Sequence, residues 1–299
     1  MTTPQPGIFA DQSRFHHALE YAVSEIVPLE PIRSAVAPAL DRSRAAAGSV
    51  VVAFGRTLWG RLAPDHMPDG LEDFSAIDGW GDTGSPSTQG DIFLWFHGSD
   101  HDDVFDAARR AHRALDPVAG LTADVPGFTY RDTRDLTGFI DGTANPTGDD
   151  ARAAALIPAA APQAGGAFVL SQRWVHDLEA FDRLPVGEQE KIIGRTKPDS
   201  IELTGDAMPA DSHVSRTDVS IDGVAQEIYR RSFPYGAMAE HGLYFLAFSC
   251  RIERFAVQLR RMFGASGDGV HDRLTEFSKP VTGSYWFAPS QETFDGVFT

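Results

Sequence analysis

Two stretches of the chain repeat the same order of apolar and polar positions. Residues 91–97 form an apolar run bounded by glycines, which predicts a buried strand. Residues 102–115 follow with acidic side chains in their first turn, which predicts a helix. Later, an apolar run at 243–250 precedes a segment whose apolar residues share one helical face: Ile252, Phe255, Ala256, Leu259 and Met262. This recurrence indicates two related halves.

The remaining elements alternate between short strands and helices. Strands are predicted at 49–54, 167–172 and 284–288, and helices at 15–26, 179–183, 187–193 and 272–277. Such alternation favours an α+β fold in which each half is a sheet with helices on one face. We therefore predict an N-terminal half at 1–125, a connector at 126–165 and a C-terminal half at 166–299.

The connector has little periodicity and is rich in Gly, Pro, Asp and Ala. A connector of this length inside a compact protein is usually functional or disordered. Its central segment, residues 138–146, favours the first interpretation, because two glycines and a proline fix a tight backbone path. Phe139 and Ile140 can be buried there, which would hold Asp141 rigidly beside apolar surface.

Composition and charge exclude several classes of function. The 299 residues carry a formal charge of −16, so we expect no binding to nucleic acid or to anionic membranes. The single cysteine, Cys250, excludes disulfide frameworks, Cys-rich zinc sites and iron–sulfur clusters. It lies in an apolar run, which favours a buried thiol over a thiolate ligand to iron. With neither an export signal nor an apolar run of about 20 residues, we expect a cytoplasmic protein.

Two residues could carry chemistry on the evidence of their local sequence. His213 lies in an irregular stretch with turn-forming residues before it, although spacing alone favours a structural histidine. If 227–233 is a strand, Arg230 shares a face with Ile228 and Ser232. An arginine on such a face is costly to bury unless it meets an anion. A ligand anion and an ordinary ion pair are equally compatible with that pattern.

Residues 138–146, Gly-Phe-Ile-Asp-Gly-Thr-Ala-Asn-Pro, resemble the Gly-x-x-Asp-Gly signature of dye-decolourising peroxidases. Four further blocks resemble the same family, in its bacterial, cytoplasmic and shorter branch. They lie in the family's order at 172–178, 192–197 through 211–216, 228–236 and 274–283. The resemblance extends from about residue 5 to residue 290, which is nearly the whole chain.

The resemblance implies a fold and a cofactor. The fold is two ferredoxin-like α+β halves whose antiparallel sheets pack together, as in a dimeric α/β barrel. The cofactor is one haem b per chain, held mainly by the C-terminal half, and non-covalently because no Cys-x-x-Cys-His sequence is present. The axial ligand of the haem iron falls on His213. Asp272 is expected to orient His213, with Glu276 as the alternative.

The family's peroxide-binding residues also match positions of this chain. The distal aspartate and arginine fall on Asp141 and Arg230, and Ser232 stands where some members have Asn. Asp141 is expected to shuttle a proton while Arg230 stabilises negative charge and lowers the pKa of Asp141. Arg195 and Lys197 are expected to bind the haem propionates. Asn145, which lies in the segment 138–146, is expected to contact the cofactor. His176 is expected to be structural.

The implied activity is a haem peroxidase that uses hydrogen peroxide to form a ferryl intermediate. That intermediate oxidises dyes, phenolic compounds or porphyrinogens in one-electron steps, so the partners are peroxide and an aromatic or porphyrin-type reductant, in a homo-oligomer. Electrons are expected at the haem edge or through a surface tryptophan or tyrosine. The candidate tryptophans are Trp59, Trp80, Trp95, Trp174 and Trp286, of which Trp95 and Trp286 are expected to be buried in the core. Two alternatives stay open: a haem-binding or haem-iron handling protein with incidental peroxidase activity, and a binding module without haem.

Overall fold

The computed structural model describes residues 2–39 and 48–298. The N-terminal half begins with a 3-10 helix at Pro6–Ile8 and contains six strands and three α-helices among these residues. In chain order they are β1 (Phe15–Ala22), α1 (Leu29–Ala39), β2 (Gly48–Phe54), α2 (Arg56–Leu62), β3 (Ile77–Asp78), β4 (Gly84–Ser85), β5 (Ile92–Gly98), α3 (His101–Leu115) and β6 (Gly120–Phe128).

The C-terminal half follows a linking helix, α4 (Gly148–Ala155). Its elements are β7 (Ala167–His176), α5 (Leu178–Asp182), α6 (Val186–Ile193), α7 (His213–Thr217), β8 (Ser220–Ile221), β9 (Val224–Ala225), β10 (Tyr229–Arg230), β11 (Phe233–Gly236), β12 (His241–Ser249), α8 (Ile252–Met262), β13 (Ser278–Pro280), β14 (Ser284–Ala288) and α9 (Gln291–Phe298). A 3-10 helix at Arg273–Glu276 precedes β13.

Both halves have the same strand order. In the N-terminal sheet it is β6-β1-β5-β2, and in the C-terminal sheet it is β14-β7-β12-β11, with every pair antiparallel. When only the four strands named for each sheet are counted in chain order, the fourth lies beside the first, the first beside the third, and the third beside the second. This is the ferredoxin-like arrangement, so the predicted fold of two related α+β halves is confirmed.

The two sheets join at both edges into a closed ring of eight strands. Tyr235 of β11 pairs with Gly127 of β6, and Phe287 of β14 pairs with Phe54 of β2. Because side chains alternate along a strand, each strand contributes to two cores. In β5, Phe93 and Trp95 belong to the core inside the ring, whereas Ile92, Leu94 and Phe96 belong to the outer core that the helices cover.

The helices form where the sequence supplies caps and an apolar face. Asp100 caps α3, since its side chain accepts hydrogen bonds from the backbone N–H groups of Asp102 and Asp103. In α8 the residues Ile252, Phe255, Leu259 and Met262 are buried, which agrees with the predicted apolar face. No helix in the described parts of the chain is both long and apolar enough to cross a membrane.

The helix predicted at 15–26 is wrong, because this segment is strand β1. Six consecutive residues of β1 are buried, since one side of the strand faces the ring interior and the other lies under the helices. A strand buried on both sides lacks the alternation that would identify it. The strand predicted at 227–233 is interrupted, but Tyr229 and Phe233 do point into the ring while Ile228 belongs to the outer core.

Candidate active site

A deep cavity lies against the outer face of the C-terminal sheet. Its walls come from β7, β12, α8 and the connector, and they include the apolar side chains of Leu170, Phe139, Phe245, Phe255, Leu259 and Met262. It contains about 1000 Å³ of empty space when its mouth is included, which lies at the upper end of the volumes of small-molecule pockets. The largely apolar walls and this volume suit a broad, flat ligand.

His213 projects into this cavity from the first position of α7. Ser212 caps the helix, as its hydroxyl accepts a hydrogen bond from the backbone N–H of Ser215. The His213 Nδ1 lies 2.7 Å from Oδ2 of Asp272, a carboxylate with no solvent exposure. A carboxylate partner makes Nδ1 the protonated nitrogen, so the lone pair is on Nε2. None of the described residues hydrogen-bonds Nε2, which leaves it free to bind a metal.

The position of Asp272 is fixed by several backbone contacts. Its Oδ1 accepts a hydrogen bond of 2.9 Å from the N–H of Leu274, and its own N–H donates to the Met262 carbonyl oxygen. Of the two carboxylates considered from the sequence, Asp272 is the one beside His213. Glu276 instead lies 3.1 Å from Nε2 of His271.

Asp141 faces the cavity from the connector. Gly138 and Gly142, at φ values of +88° and +78°, allow the tight path around it. Oδ1 of Asp141 accepts a hydrogen bond of 2.7 Å from the Gly142 N–H. Burial raises the pKa of Asp141 above its usual value, and the charge of Arg230 offsets this only in part. Arg230 thus acts in the expected direction on that pKa, but burial outweighs it.

Arg230 lines the same cavity, and Asn145 holds its backbone. The Asn145 side chain donates from Nδ2 to the Arg230 carbonyl oxygen at 2.8 Å and accepts from the Arg230 N–H at 2.9 Å. The Arg230 guanidinium has no hydrogen bond or ion pair with any described residue, which leaves its charge available to an anion. Asn145 therefore contacts the arginine backbone.

Ser232 borders a neighbouring cavity that also reaches Asp141 and Arg230. This second cavity contains about 840 Å³ of empty space with its mouth included, between residues 11–13, 129–134 and 229–234. The Ser232 Oγ accepts a long hydrogen bond of 3.4 Å from the Leu246 N–H. Its hydroxyl hydrogen is therefore available to another acceptor.

The two predicted propionate-binding cations lie in different surroundings. Arg195 lines the lateral part of the site together with His213 and Asp141, although it pairs with Glu202 and donates to the Ser200 carbonyl oxygen at 2.9 Å. Lys197 donates to Oε1 of Gln189 at 2.6 Å and lies over the ring of Phe139. Lys197 is not among the residues that line the cavities described above.

A second His–Asp pair lines the cavity and was not expected from the sequence. The His176 Nε2 lies 3.0 Å from Oδ1 of Asp135, and its Nδ1 lies 2.7 Å from the Ser278 hydroxyl. Burial alone would raise the pKa of Asp135, but His176 and hydrogen bonds from Thr137 outweigh it and lower the pKa to about 2. Asp135 is thus a permanent negative charge, and it raises the pKa of Asp141. The sequence offered two signals for this pair: Asp135 lies six residues before Asp141, and His176 lies in the block at 172–178.

Two family models match nearly the whole chain. Residues 8–129 match the N-terminal and residues 132–293 the C-terminal part of the Dyp-type peroxidases. The chain belongs to the dye-decolourising peroxidase family. The family predicted from the ordered sequence blocks is therefore confirmed, and so is its enzyme class, a haem-dependent peroxidase.

Individual dye-decolourising peroxidases agree with this assignment. The curated dye-decolorizing peroxidase of Mycobacterium tuberculosis is 37% identical over 251 residues, which cover 83% of this chain and 75% of the relative. A solved Dyp-type peroxidase of Shewanella oneidensis is 31% identical with a TM-score of 0.91, over 100% of this chain and 98% of that one. A variant of a Rhodococcus jostii relative, solved in complex with haem, is 32% identical with a TM-score of 0.91, over 99% and 98% of the two chains.

Proposed function

We propose that the chain binds one haem b through His213 and reduces hydrogen peroxide with Asp141 and Arg230. The observation that carries this proposal is the arrangement around one cavity. His213 has a free Nε2, and Asp272 on its Nδ1 makes the imidazole a stronger donor. Asp141 and the unpaired Arg230 line the same largely apolar cavity. This donor set fits a flat, apolar cofactor with an iron centre.

The remaining polar residues fit roles around that cofactor. Bound haem would supply the iron centre that takes up the oxidising equivalents of peroxide and passes them on singly. Arg195 is the better candidate of the two cations for a propionate, because it lines the site whereas Lys197 does not. Asn145 positions Arg230 through the paired hydrogen bonds to its backbone.

Asp141 and Arg230 divide the work on peroxide. Ionised Asp141 takes the proton from one peroxide oxygen and delivers it to the other, which leaves as water when the O–O bond breaks. Arg230 supplies a fixed positive charge for the negative charge that develops during this step. Peroxide reaches both residues through the second cavity, where the Ser232 hydroxyl donates a hydrogen bond to it or to a bridging water.

We also propose the class of reductant and the cellular setting. Dyes, phenolic compounds or porphyrinogens return the electrons one at a time. The protein acts as a homo-oligomer in the cytoplasm. The acidic surface, with a formal charge of −16, favours neutral or cationic aromatic reductants over polyanions.

Removal of the His213 imidazole tests the proposal. Purified wild-type protein, His213→Ala and His176→Ala are titrated with haem, and the absorption spectrum is recorded. The His213→Ala variant is expected to lose the spectrum of imidazole-ligated haem, because no other histidine of this cavity has a free ring nitrogen beside a buried carboxylate. The His176→Ala variant, which changes a histidine of the same cavity, is expected to keep it. A wild-type spectrum in His213→Ala would remove His213 from the site.

A further inference from the structure

Arg134 lies in the connector and uses every donor of its guanidinium. The group has five N–H donors, and each has an acceptor at 2.8–3.1 Å. Two of them hold the carboxylate oxygens of Asp132. The other three donate to backbone carbonyl oxygens, at 2.8 Å to Gly138 and Lys197 and at 2.9 Å to Pro198. The side chain is only 15% exposed, so water competes little for these bonds.

The carbonyl acceptors of Arg134 belong to two separate segments of the chain. One is the turn of the connector that ends at Asp141, whose N–H donates to the Thr133 carbonyl oxygen at 2.9 Å. The other is the segment 194–200, which follows α6 and precedes α7. Both segments border the lateral part of the site. Arg134 therefore bonds the turn that carries Asp141 to a segment from another part of the fold.

The segment 194–200 in turn packs against the helix of His213. Gly194 has a φ of +93°, and a Cβ added to it would lie 2.9 Å from Cβ of Val214 and 3.1 Å from Oγ of Ser212. These two residues flank His213 in the sequence. Close contacts thus lead from the turn of Asp141 through the Arg134 guanidinium to α7. Because Asp141 and His213 line the same cavity, these contacts fix the spacing between them.

The charge of Arg134 has no part in this arrangement. It is balanced by Asp132, at 2.9 Å. Besides burial, the pKa of the Asp141 carboxyl responds to the charges of Arg230, Asp135 and His213. Arg134 acts through the fixed geometry of its planar fork, which a lysine ammonium cannot reproduce.

We propose that Arg134 is a positioning residue that sets the spacing between Asp141 and His213 and closes the side of the cofactor cavity. The inference rests on the proposed haem peroxidase function. Without the guanidinium the turn and the segment 194–200 separate. Water then reaches Asp141, and the cavity holds the haem less firmly.

The test compares haem-loaded wild type with Arg134→Lys, Arg134→Gln and the control Arg33→Lys. Arg33 also donates to two backbone carbonyl oxygens, those of Val297 and Leu62, but it lines none of the cavities described above. Haem release is measured as transfer of the ferric cofactor to excess apomyoglobin. The peroxide reaction is measured by stopped flow from acidic to neutral pH.

Both Arg134 variants should release haem about tenfold faster, since they lose hydrogen bonds from a charged donor that close the cavity. The peroxide reaction should slow by up to about 10²-fold, because Asp141 is misplaced. Its acid limb should move to lower pH, because water at Asp141 removes part of the burial that raises its pKa. Arg33→Lys should match wild type in all three measurements.

Ser200→Ala supplies a milder second variant. The Ser200 Oγ lies 2.8 Å from the Thr143 hydroxyl, which is another side-chain contact between the connector and the segment 194–200. This variant should change haem release and the acid limb in the same directions, and it decides the question if the Arg134 variants do not fold.

Three outcomes would overturn the inference. They are wild-type haem release and acid limb in these variants, full recovery of both in Arg134→Lys but not in Arg134→Gln, and equal changes in Arg33→Lys. Failure of the proposed function itself looks different. In that case wild type would take up no haem, or its haem spectrum would not respond to peroxide.

Discussion

The acid limb of the pH–rate profile should be set by Asp141. Because Asp141 must be ionised to take a proton, the rate of the peroxide reaction falls as the pH falls through its pKa. Burial raises that pKa, so the limb should lie above the value of about 3.9 that is usual for aspartate. Asp141→Asn keeps the shape and removes the base. The peroxide reaction should then slow by about 10²–10⁴-fold, or about 3–5 kcal/mol, and lose the acid limb.

Two neighbouring charges allow the limb to be shifted in opposite directions. Arg230 lowers the pKa of Asp141, so Arg230→Leu should move the limb to higher pH. It should also slow the reaction at every pH, by about 10²–10³-fold if Arg230 acts as an oxyanion-type donor. Asp135, ionised throughout because its pKa is about 2, raises the pKa of Asp141. Asp135→Asn should therefore move the limb to lower pH.

Stopped-flow absorption of the haem-loaded proteins from acidic to neutral pH measures these rates. The reasoning fails if Asp141→Asn reacts at the wild-type rate throughout, or if it keeps the wild-type acid limb. A limb that moves in the same direction in Arg230→Leu and Asp135→Asn would also contradict it. If only Arg230→Leu is impaired, Arg230 is the essential residue on the peroxide side and proton transfer by Asp141 is wrong.

Two further outcomes follow from the contacts, and a third follows from the proposed location. Asp272→Asn should weaken haem binding or activity by about 10–100-fold, because an amide orients the His213 imidazole less well than a carboxylate, and a haem titration would detect this. Asn145→Ala removes two hydrogen bonds to the Arg230 backbone. The free energy of unfolding, measured with denaturant, should therefore fall by about 2 kcal/mol, and the reaction with peroxide should slow. Unchanged stability would contradict the positioning role. Cell fractionation should recover the protein in the cytoplasm, and recovery in an exported fraction would refute that location.

The sequence predicted the fold where local pattern carries the information. The strand at 91–97 and the apolar face of α8 were found because their apolar residues are contiguous or helically spaced. Strand β1 was missed because burial on both sides removes the alternation. Closure of the ring depends on the pairs Tyr235–Gly127 and Phe287–Phe54, which join residues far apart in the chain. No local signal encodes such pairs.

The main residues of the candidate site were predicted from their resemblance to the family's sequence blocks. Asp141, Arg230 and His213 were identified through ordered sequence blocks, and the structure brings all three to one cavity. The distinction between Asp272 and Glu276 needed the backbone geometry, since both lie in the same short segment. The pair of Asp135 and His176 was missed because only the fold brings residues 41 positions apart into contact.

The central claim is that this cavity holds haem on His213 and reacts with peroxide. Its most direct test is an absorption spectrum of purified, haem-loaded wild-type protein, recorded before and after one equivalent of hydrogen peroxide. The account predicts a ferric spectrum with imidazole ligation that changes rapidly on addition of peroxide and returns when a phenolic reductant is supplied. A protein that takes up no haem, or a haem spectrum that peroxide leaves unchanged, would contradict it.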